Sequence, residues 1–582
     1  MFDCATNTLV ANPSANLVKL ASSAAKNRTS LAILRSIAAI FFASLLLVGC
    51  SSFKREIYTA TFISHKDSQI IISAAAGSDI PIPTASRAGY LFTDWQEDDT
   101  AEAIAGGTSY KLTKNTTFKA RYTAITYTVI FGSDTFKGTQ DSPITAPAIA
   151  PKKGYIGVWQ EEGGDVKVSN GTLYAPTKNA TFQVQYEEPV RVAFFDADLN
   201  LLTSEDILNG ETVMFCNTCC TQTWYEANKS SPISIPFAAN GSINFYAIPN
   251  VIEVADQVGL DDMRNNLTGK YVLTKDIALS DRAAGVDSNG WFPIGHDYDN
   301  RFSGVFNGNG HKITKLWMDR TYGNYTGLFG FIQDATIKNL SVEIDNSNGG
   351  IRGHDRVGGI AGVAYDRSTI ANSRTTGKIS GRDYVGGIAG YVSAGSITNS
   401  YFKGNIDASG NYIGGIAGLA NAKSIITGSY SKAGIDGLNN VGGIAGYIYS
   451  GSISNSYSTA NISGASNVGG ITGSAYYGSI ITNNAALSSL VLGTANSNRI
   501  VGYIDGVNTV LNNIAKIDMA TDFTDFVEGN GYSGTGKTDS VLKSKETYAN
   551  NPVSGGLGWN FETIWKMEAD KNGGHPYFYW QE

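Results

Sequence analysis

Short apolar segments recur with a fixed spacing along the C-terminal half of this chain. Residues 357–362 read Val-Gly-Gly-Ile-Ala-Gly, and close copies begin about 28 residues apart at Val385, Ile413, Val441 and Val468. Each repeat contains two further short segments rich in Ile, Ser, Thr, Asn and Tyr, and turn-forming residues separate the three. Such segments are typical of β-strands, and none of these windows has the apolar spacing of a helix. The pattern therefore predicts three short strands in every repeat.

A fixed repeat of this length predicts a solenoid, in which each coil buries its apolar side against the next. Three strands per repeat favour a right-handed parallel β-helix, and equal repeat lengths bring like residues into register. We expect one interior column of isoleucines and one ladder of asparagines, which Gly428 interrupts. The expected isoleucines are Ile360, Ile388, Ile416, Ile444 and Ile471, and the expected asparagines are Asn372, Asn399, Asn455 and Asn483.

The repeated sequence (Val/Ile)-Gly-Gly-Ile-Ala-Gly, followed by Gly-Ser-Ile-x-Asn-Ser-Tyr, resembles the GLUG motif. About five copies are close to this pattern, and residues 327–340 and 501–503 resemble divergent outer copies. GLUG motifs occur in tandem in large bacterial surface and adhesin-like proteins. The resemblance therefore implies a surface protein and a repeat architecture, but no particular activity.

Three weakly similar units of about 65 residues precede the solenoid. Each has alternating apolar strands and a central tryptophan, which is Trp95, Trp159 or Trp224. We expect each tryptophan to be the core of a small β-rich module, because so small a domain needs a large buried side chain. The units resemble the Listeria–Bacteroides repeat of bacterial surface proteins, which implies a β-grasp-like fold. The third unit is degenerate.

The N-terminal 49 residues have the pattern of an export signal. Basic residues precede an apolar run at 37–48 that is too short for a stable membrane anchor. Residues 47–52, Leu-Val-Gly-Cys-Ser-Ser, resemble a bacterial lipobox, which implies cleavage before Cys50 and lipidation of that cysteine. Acyl chains would hold the protein on a membrane. A serine directly after the cysteine, here Ser51, resembles the pattern of lipoproteins that are sent to the outer membrane. An ordinary secretory signal and a buried helix are the alternatives.

The rest of the chain completes a predicted domain division. A short helix is predicted near residues 256–267 in the N-terminal cap of the solenoid, and the C-terminal aromatic residues are expected to cover the last coil. The predicted segments are the signal peptide 1–49, a lipidated linker 50–56, modules 57–124, 125–188 and 189–250, the capped start of the β-helix 251–346, the GLUG-repeat β-helix 347–515, and the C-terminal cap 516–582.

The best candidate for catalysis lies near the predicted N-terminal cap. His296, Asp297, Asp299 and Arg301 are close in sequence, and polysaccharide lyases and hydrolases need neighbouring carboxylates. A solvated turn is the plainer interpretation. Acidic residues within the repeats fall at different turn positions, so they predict no shared site.

Other chemistry is weakly supported by the sequence. Cys216, Cys219 and Cys220 could bind zinc, but in an exported protein one disulfide and a spare thiol are the plainer interpretation. The chain has no His-Glu-x-x-His, no phosphate-binding loop and no serine nucleophile elbow. Its net charge of −7, without a basic stripe, argues against a nucleic-acid partner. No cofactor is expected.

Tyrosines that follow the Gly-Gly segments are the candidate binding residues, because aromatic rings give contact area at low entropic cost. Protection of a coil edge by these rings is an equally ordinary interpretation. Together these features predict a lipid-anchored, non-catalytic adhesin at the cell surface that binds glycans or proteins of host or neighbouring cells. A polysaccharide-degrading enzyme and a structural spacer of the envelope are the alternatives. The candidate tyrosines are Tyr391, Tyr447, Tyr449, Tyr476 and Tyr477, with Tyr365 in the same position of an earlier repeat.

Overall fold

The computed structural model describes residues 56–65, 68–100, 102–213, 223–233, 237–280, 285–522 and 532–581. The chain divides into two compact units, residues 1–150 with 157–185 and residues 151–156 with 186–582. The predicted class is confirmed, because the protein is all-β with small sheets followed by a parallel β-solenoid of about eight turns. The predictions for the signal peptide, Cys50, Cys216, Cys219 and Cys220 lie outside the described residues.

The first unit contains two mixed five-stranded sheets, each built around a parallel pair of strands. Trp95 is fully buried against Phe62, and its Nε1 donates to the backbone oxygen of Pro83 at 2.6 Å. Trp159 donates in the same way to Pro147 at 2.9 Å. The strands are Ile57–Ile63, Gln69–Ala75, Tyr90–Glu97, Ala103–Ile104 and Thr116–Ala124, then Tyr127–Phe131, Asp134–Gly138, Ile156–Glu161, Lys167–Ser169 and Ala180–Glu187, with short ladders Ser78–Pro81/Ser109–Leu112 and Ile144–Thr145/Leu173–Tyr174.

The third module belongs to the second unit, where it packs on the start of the solenoid. Trp224 is buried 5.0 Å from the ring of Phe194. The solenoid residue Asn307 donates from Nδ2 to the backbone oxygen of Leu199 at 2.5 Å. The module strands are Val190–Phe195, Leu201–Ile207, Tyr225–Glu226 and Ile243–Tyr246, with a second ladder of Thr212–Val213 and Phe237–Ala238.

Three sheets form the sides of the solenoid, and they are parallel except at the strands Val286–Asp287 and Gly290–Trp291, which pair antiparallel. We call the ten-stranded sheet the narrow face and the seven-stranded sheet the tyrosine face. The narrow face contains Val251–Val254, Lys270–Leu273, Val305–Asn307, Thr336–Lys338, Thr369–Ala371, Ser396–Thr398, Ile425–Thr427, Ser452–Ser454, Ile480–Thr482 and Thr509–Leu511. The tyrosine face contains Phe329–Gln333, Ala361–Tyr365, Ala389–Ser393, Ala417–Asn421, Ala445–Tyr449, Thr472–Tyr476 and Val501–Asp505.

The third side, here the broad face, is a sheet of 21 strands in which most coils contribute two strands separated by a bend. Its strands are Ile277–Ala278, Val286–Asp287, Gly290–Trp291, Lys312–Leu316, Met318–Arg320, Ser341–Ile344, Ile351–Gly353, Asp355–Gly358, Arg374–Gly381, Asp383–Gly386, Tyr401–Ala408, Asn411–Gly414, Tyr430–Asp436, Asn439–Gly442, Tyr457–Ser458, Asn461–Gly469, Ala485–Ala486, Leu490–Asn498, Ile514–Lys516, Ala520–Thr521 and Thr535–Lys537.

The Gly-Gly-Ile-Ala-Gly segment carries the chain from the broad face to the tyrosine face. A Cβ atom at Gly386 would lie 2.1 Å from the backbone oxygen of Ala389, and one at Gly390 would lie 2.5 Å from the backbone of Arg356. Glycine alone allows these approaches. The five predicted isoleucines of this segment are all fully buried, so the interior column is confirmed.

The asparagine ladder is confirmed by side-chain bonds at Asn372 and Asn399, at the corner after the narrow face, whereas Asn455 and Asn483 share the backbone conformation of this corner, with φ 51° and 59°. Asn399 donates from Nδ2 to Oδ1 of Asn372 at 3.3 Å, and Asn372 donates likewise to Asn339 at 3.3 Å. These residues have φ angles of 47°, 49° and 53°, in the left-handed region that asparagine tolerates better than most residues. Gly428 occupies the same corner with φ 59° and interrupts the ladder, as predicted.

The N-terminal end of the solenoid carries the predicted short helix. The helix Gln257–Asp262 begins after Asp256, whose side chain accepts a hydrogen bond from the Gly259 amide at 2.9 Å. A 3₁₀ turn, Met263–Asn265, continues it. A further 3₁₀ turn, Asn346–Asn348, interrupts the broad face.

The C-terminal aromatic residues lie elsewhere than expected. They cover the side of five consecutive coils and not only the last coil, because stacked tyrosines on the outside of the broad face need apolar cover. Trp559, Trp565 and Phe578 pack there against the register column Tyr401, Tyr430, Tyr457, Ala485 and Ile514. The segment contains the helices Asp539–Leu542 and Lys545–Ala549, the 3₁₀ turns Pro552–Ser554, Asn572–Gly574 and Tyr579–Gln581, and the hairpin Trp565–Lys566 with Tyr577–Phe578.

Candidate binding surface

Two kinds of position place tyrosine rings on one side of the solenoid. The first kind lies on the strands of the tyrosine face, where Tyr447 follows Leu419 in register and Tyr449 pairs with Tyr476 of the next coil. Outward positions on these strands alternate with alanine and isoleucine positions that point into the core. The strand pattern thus decides which positions project their side chains outward.

The second kind is the residue just before each Gly-Gly segment, at the corner between the broad and tyrosine faces. Tyr384 and Tyr412 occupy this corner with φ 58° and 66°. In the preceding coils the same corner holds Tyr325 and Arg356, with φ 63° and 59°, and in the following coils it holds Asn440 and Asn467, both with φ 55°. A large side chain in this left-handed conformation costs about 1–2 kcal/mol, and asparagine adopts it more readily. Asparagine therefore meets the backbone requirement of this corner at a lower cost than the larger side chains do.

Eight tyrosine rings form one continuous series of contacts, which we call the tyrosine strip. Ring centroids lie 5.0 Å apart for Tyr384–Tyr412, 5.3 Å for Tyr412–Tyr447 and 4.9 Å for Tyr447–Tyr476. The Arg356 guanidinium lies over Tyr384, 5.3 Å from the ring centroid, at one end of the strip. The members are Tyr384, Tyr391, Tyr412, Tyr447, Tyr449, Tyr476, Tyr477 and Tyr503.

The strip combines exposed rings with half-buried ones. Tyr449 and Tyr477 are 44% and 53% exposed. The pKa of Tyr447 is raised to about 12, mainly because the ring is buried and to a smaller extent because Tyr476 is its neighbour. Burial also raises the pKa of Tyr384. These phenols therefore stay protonated at neutral pH, and each can donate and accept a hydrogen bond.

A ladder of polar side chains borders the strip along the corner. The Asn411 side chain donates to Asp383 at 3.1 Å, Asn439 donates to Asn411 at 2.8 Å, and Ser466 donates to Asn439 at 2.6 Å. Amide and hydroxyl groups beside aromatic rings are the combination that recognises sugar hydroxyls or polar protein surfaces. The surface thus places aromatic rings and hydrogen-bonding groups side by side.

All five tyrosines of the sequence prediction lie in this strip. Tyr365 lies outside it, 6.0 Å from Phe331 in the preceding coil. Tyr384 and Tyr412 were not predicted, because the prediction covered only tyrosines that follow the Gly-Gly segments. Their position directly before Val385 and Ile413 in the sequence was a usable signal. Tyr503 was missed because its repeat is degenerate.

The four candidate catalytic residues lie in an exposed loop beside the first coils. His296 Nε2 lies 3.2 Å from Asp297 Oδ2, and Arg301 donates to the backbone oxygen of Tyr298 at 2.9 Å. The Asn300 backbone amide, which donates to Asp297 at 2.7 Å, is the main cause of a lowered pKa for this carboxyl. Asp299 is exposed. Asp297 thus closes a turn.

A cleft of about 490 Å³ lies beside this loop and is lined by His296, Tyr322 and Tyr325 among others. Its Arg320 is held by Asp287 at 3.0 Å and its Asp319 is held by Arg352, so both charges already have partners. Within the described ranges, no group of three or more His, Cys, Asp and Glu side chains could hold a metal ion.

The fold and its repeated corners define a β-solenoid protein with a polar–aromatic surface, and comparison with known proteins agrees with its repeat type. The GLUG motif matches residues 381–407 and 437–463. These matches cover two of the coils that form the tyrosine strip.

Two curated relatives are similar to part of the chain. It is 45% identical over 102 residues to a protein named as a Gly-rich membrane protein of Evansella cellulosilytica, covering 17% of this chain and 11% of that protein. It is 31% identical over 137 residues to halomucin of Haloquadratum walsbyi, covering 19% of this chain and 2% of halomucin. The chain thus spans only a small part of the length of either relative.

None of the helices in the part of the chain that the structure describes is both long and apolar enough to cross a membrane.

Proposed function

We propose that this chain is a non-catalytic adhesin of the cell surface that binds glycans or proteins of host or neighbouring cells through the tyrosine strip. The names of the two relatives, a membrane protein and a halomucin, support a location in the cell envelope. The lipobox resemblance supports anchoring through Cys50 in the outer membrane.

One observation carries the binding proposal. Tyr384 and Tyr412 adopt a left-handed backbone that favours asparagine, and the same corner holds Asn440 and Asn467 in later coils. Tyrosine at this corner costs stability, so its ring must contribute something that asparagine does not. A ring joined to seven others on an exposed face contributes contact area for a ligand.

A double substitution, Tyr384→Asn with Tyr412→Asn, tests this proposal on the full-length protein. Beads coated with the protein are exposed to mammalian and bacterial cells, and bound cells are counted. We expect binding to fall at least tenfold, whereas thermal stability stays equal or rises because asparagine suits this corner. Tyr532→Asn removes a partly exposed tyrosine outside the strip and is the matched control.

Two results would contradict the proposal. The first is unchanged cell binding by the double variant while the wild type binds. The second is absence of cell binding by the wild-type protein, which would favour the spacer alternative. Release of sugar fragments from a polysaccharide panel would instead favour the enzyme, with Asp297→Asn and Asp299→Asn as the next variants.

A further inference from the structure

A second surface, on the broad face, was not found from the sequence. The C-terminal segment lies along this face and leaves a cleft of about 590 Å³ beside Tyr401 and Tyr430. An adjoining cleft of about 560 Å³ shares Lys403, Lys432 and Asn572 with the first. We call the joined space the lysine cleft, because its lining includes Lys403, Lys432, Lys516, Lys543 and Lys571.

The positive charges of this cleft are only partly balanced. Lys543 pairs with Asp539 at 2.7 Å, Lys571 with Glu568 at 3.3 Å, and Lys516 with Asp518 at 3.5 Å. Lys403 and Lys432 form no ion pair within the residues that the structure describes. Two positive charges therefore remain on a chain whose net charge is −7.

The two unbalanced lysines are direct neighbours. Lys403 and Lys432 face each other in the register of adjacent parallel strands, whose backbones lie about 4.8 Å apart. Like charges directly opposite each other destabilise a sheet. An anion between the two ammonium groups would remove this repulsion, so the pair is arranged as a receptor for a negative group.

A histidine also lines this cleft beside the lysine pair. His575 lines the same cleft, and its pKa is lowered mainly by burial and to a smaller extent by the nearby charge of Lys543. Lys432 lowers it further, and Asp539 acts in the opposite direction. The histidine is thus neutral at pH 7, and the lysines carry the attraction for an anion.

An aromatic and amide-rich pocket continues the cleft on the side of Gln581. This pocket has a volume of about 330 Å³ and includes Trp580, Arg374, Asn339 and Asn372. Trp580 is 36% exposed and stacks on Tyr401 with centroids 5.6 Å apart. An exposed indole beside side-chain amides fits a sugar ring, since the ring can stack while the amides bond its hydroxyls.

We infer that the lysine cleft and this pocket form one binding site for an acidic polysaccharide, whose carboxylate or sulfate groups lie between Lys403 and Lys432 and whose sugar ring stacks on Trp580. The inference rests on the proposed binding role but uses a different face from the tyrosine strip. A nucleic acid fits less well, because its dense phosphate charge meets only two unbalanced lysines on an acidic protein.

Binding of the full-length protein to immobilised polymers tests the site. The polymers are polygalacturonate, which carries carboxylates, chondroitin sulfate, which also carries sulfates, neutral dextran, and single-stranded DNA. We expect the wild type to bind one or both acidic glycans more tightly than dextran or DNA, with affinity that falls as salt is raised. The preferred acidic glycan identifies the anionic group.

Substitutions then locate the site. Lys403→Gln with Lys432→Gln should weaken glycan binding at least tenfold, whereas arginine at both positions should retain it. The matched control, Lys111→Gln with Lys137→Gln, removes two exposed lysines of the first unit and should leave binding unchanged. Trp580→Ala should weaken binding without changing its salt dependence.

Several results would overturn the site. These are absence of binding to both acidic glycans, tighter binding to DNA, or an equal loss in the control variant. The tyrosine double variant separates this site from the proposed function. If the tyrosine double variant loses glycan binding and the lysine double variant keeps it, the proposal of the lysine cleft is wrong and the proposed function stands. The same holds if the wild type binds cells but binds none of the glycans.

Discussion

Filling the gap in the asparagine ladder should stabilise the solenoid. Gly428 has φ 59°, close to the φ of 47° at Asn399 in the preceding coil, so Gly428→Asn needs no change of backbone. The new Cβ would lie 2.5 Å from Oδ1 of Asn399. That oxygen is the end of a side chain that can rotate, and rotation would bring it within reach of the new amide, as in the bond from Asn399 to Asn372.

The expected gain can be worked from its parts. Replacing glycine lowers the conformational entropy of the unfolded chain by about 0.4–1 kcal/mol at a compatible backbone. Each side-chain hydrogen bond adds roughly 0.5–1.5 kcal/mol, and the new amide can bond to Asn399 and to Asn455. Displacing the Asn399 oxygen and the residual left-handed strain offset part of this sum. We expect a net stabilisation of about 1–2 kcal/mol.

Hydrogen exchange is the appropriate assay, because a chain with several units does not unfold in one step. The amides of the strand Tyr430–Asp436 should exchange about tenfold more slowly in Gly428→Asn than in the wild type. Gly428→Ala is the matched control, since alanine has the strain of the left-handed conformation without the amide, and its exchange should be faster. Equal protection in both variants would refute the reasoning from ladder bonds.

Two further predictions concern other parts of the chain. Trp565→Ala should release the C-terminal segment, because Trp565 is buried between Trp559 and Phe578 and the loss of its ring costs about 3–5 kcal/mol. Limited proteolysis should then cut the chain near residue 560. Unchanged resistance to the protease would contradict this packing. The hydrogen bond from Arg121 lowers the pKa of Asp94 below its usual 3.8, so its stabilisation of the first module is complete above pH 3.8 and is lost as pH falls further. The fall in the melting temperature of the first unit between pH 6 and pH 2 should be smaller in Asp94→Asn than in the wild type, and an equal fall would contradict this assignment.

The interior of the solenoid could be predicted from the sequence because it repeats. Ile388 and Ile416 sit at equal intervals, and parallel stacking makes equal intervals into one column. The asparagine ladder was predictable for the same reason. Repetition makes the neighbour of a residue in space the residue one repeat away, so no long-range folding information was needed.

The surfaces were harder to predict, for two physical reasons. Tyr384 joins the strip only because the corner before the Gly-Gly segment is left-handed, and the sequence does not show backbone angles. The lysine cleft needs Lys571 and Trp580, which reach the broad face through a C-terminal segment without repeats. Of the residues in this cleft, only Lys403 and Lys432 were visible as a sequence pattern, since they end Tyr-Phe-Lys and Tyr-Ser-Lys at equivalent places in two repeats.

The corner before the Gly-Gly segment shows how a repeat protein can keep its fold while residues on its surface change. The fold requires a left-handed residue there in every coil, and Asn440 and Asn467 meet that requirement at little cost. Tyr384 and Tyr412 meet it at a higher cost, which neighbouring coils can absorb because the interior column is continuous and fully buried. Surface residues, including those of the proposed binding strip, can therefore change from coil to coil at this corner while the glycines and isoleucines that stack the coils stay the same.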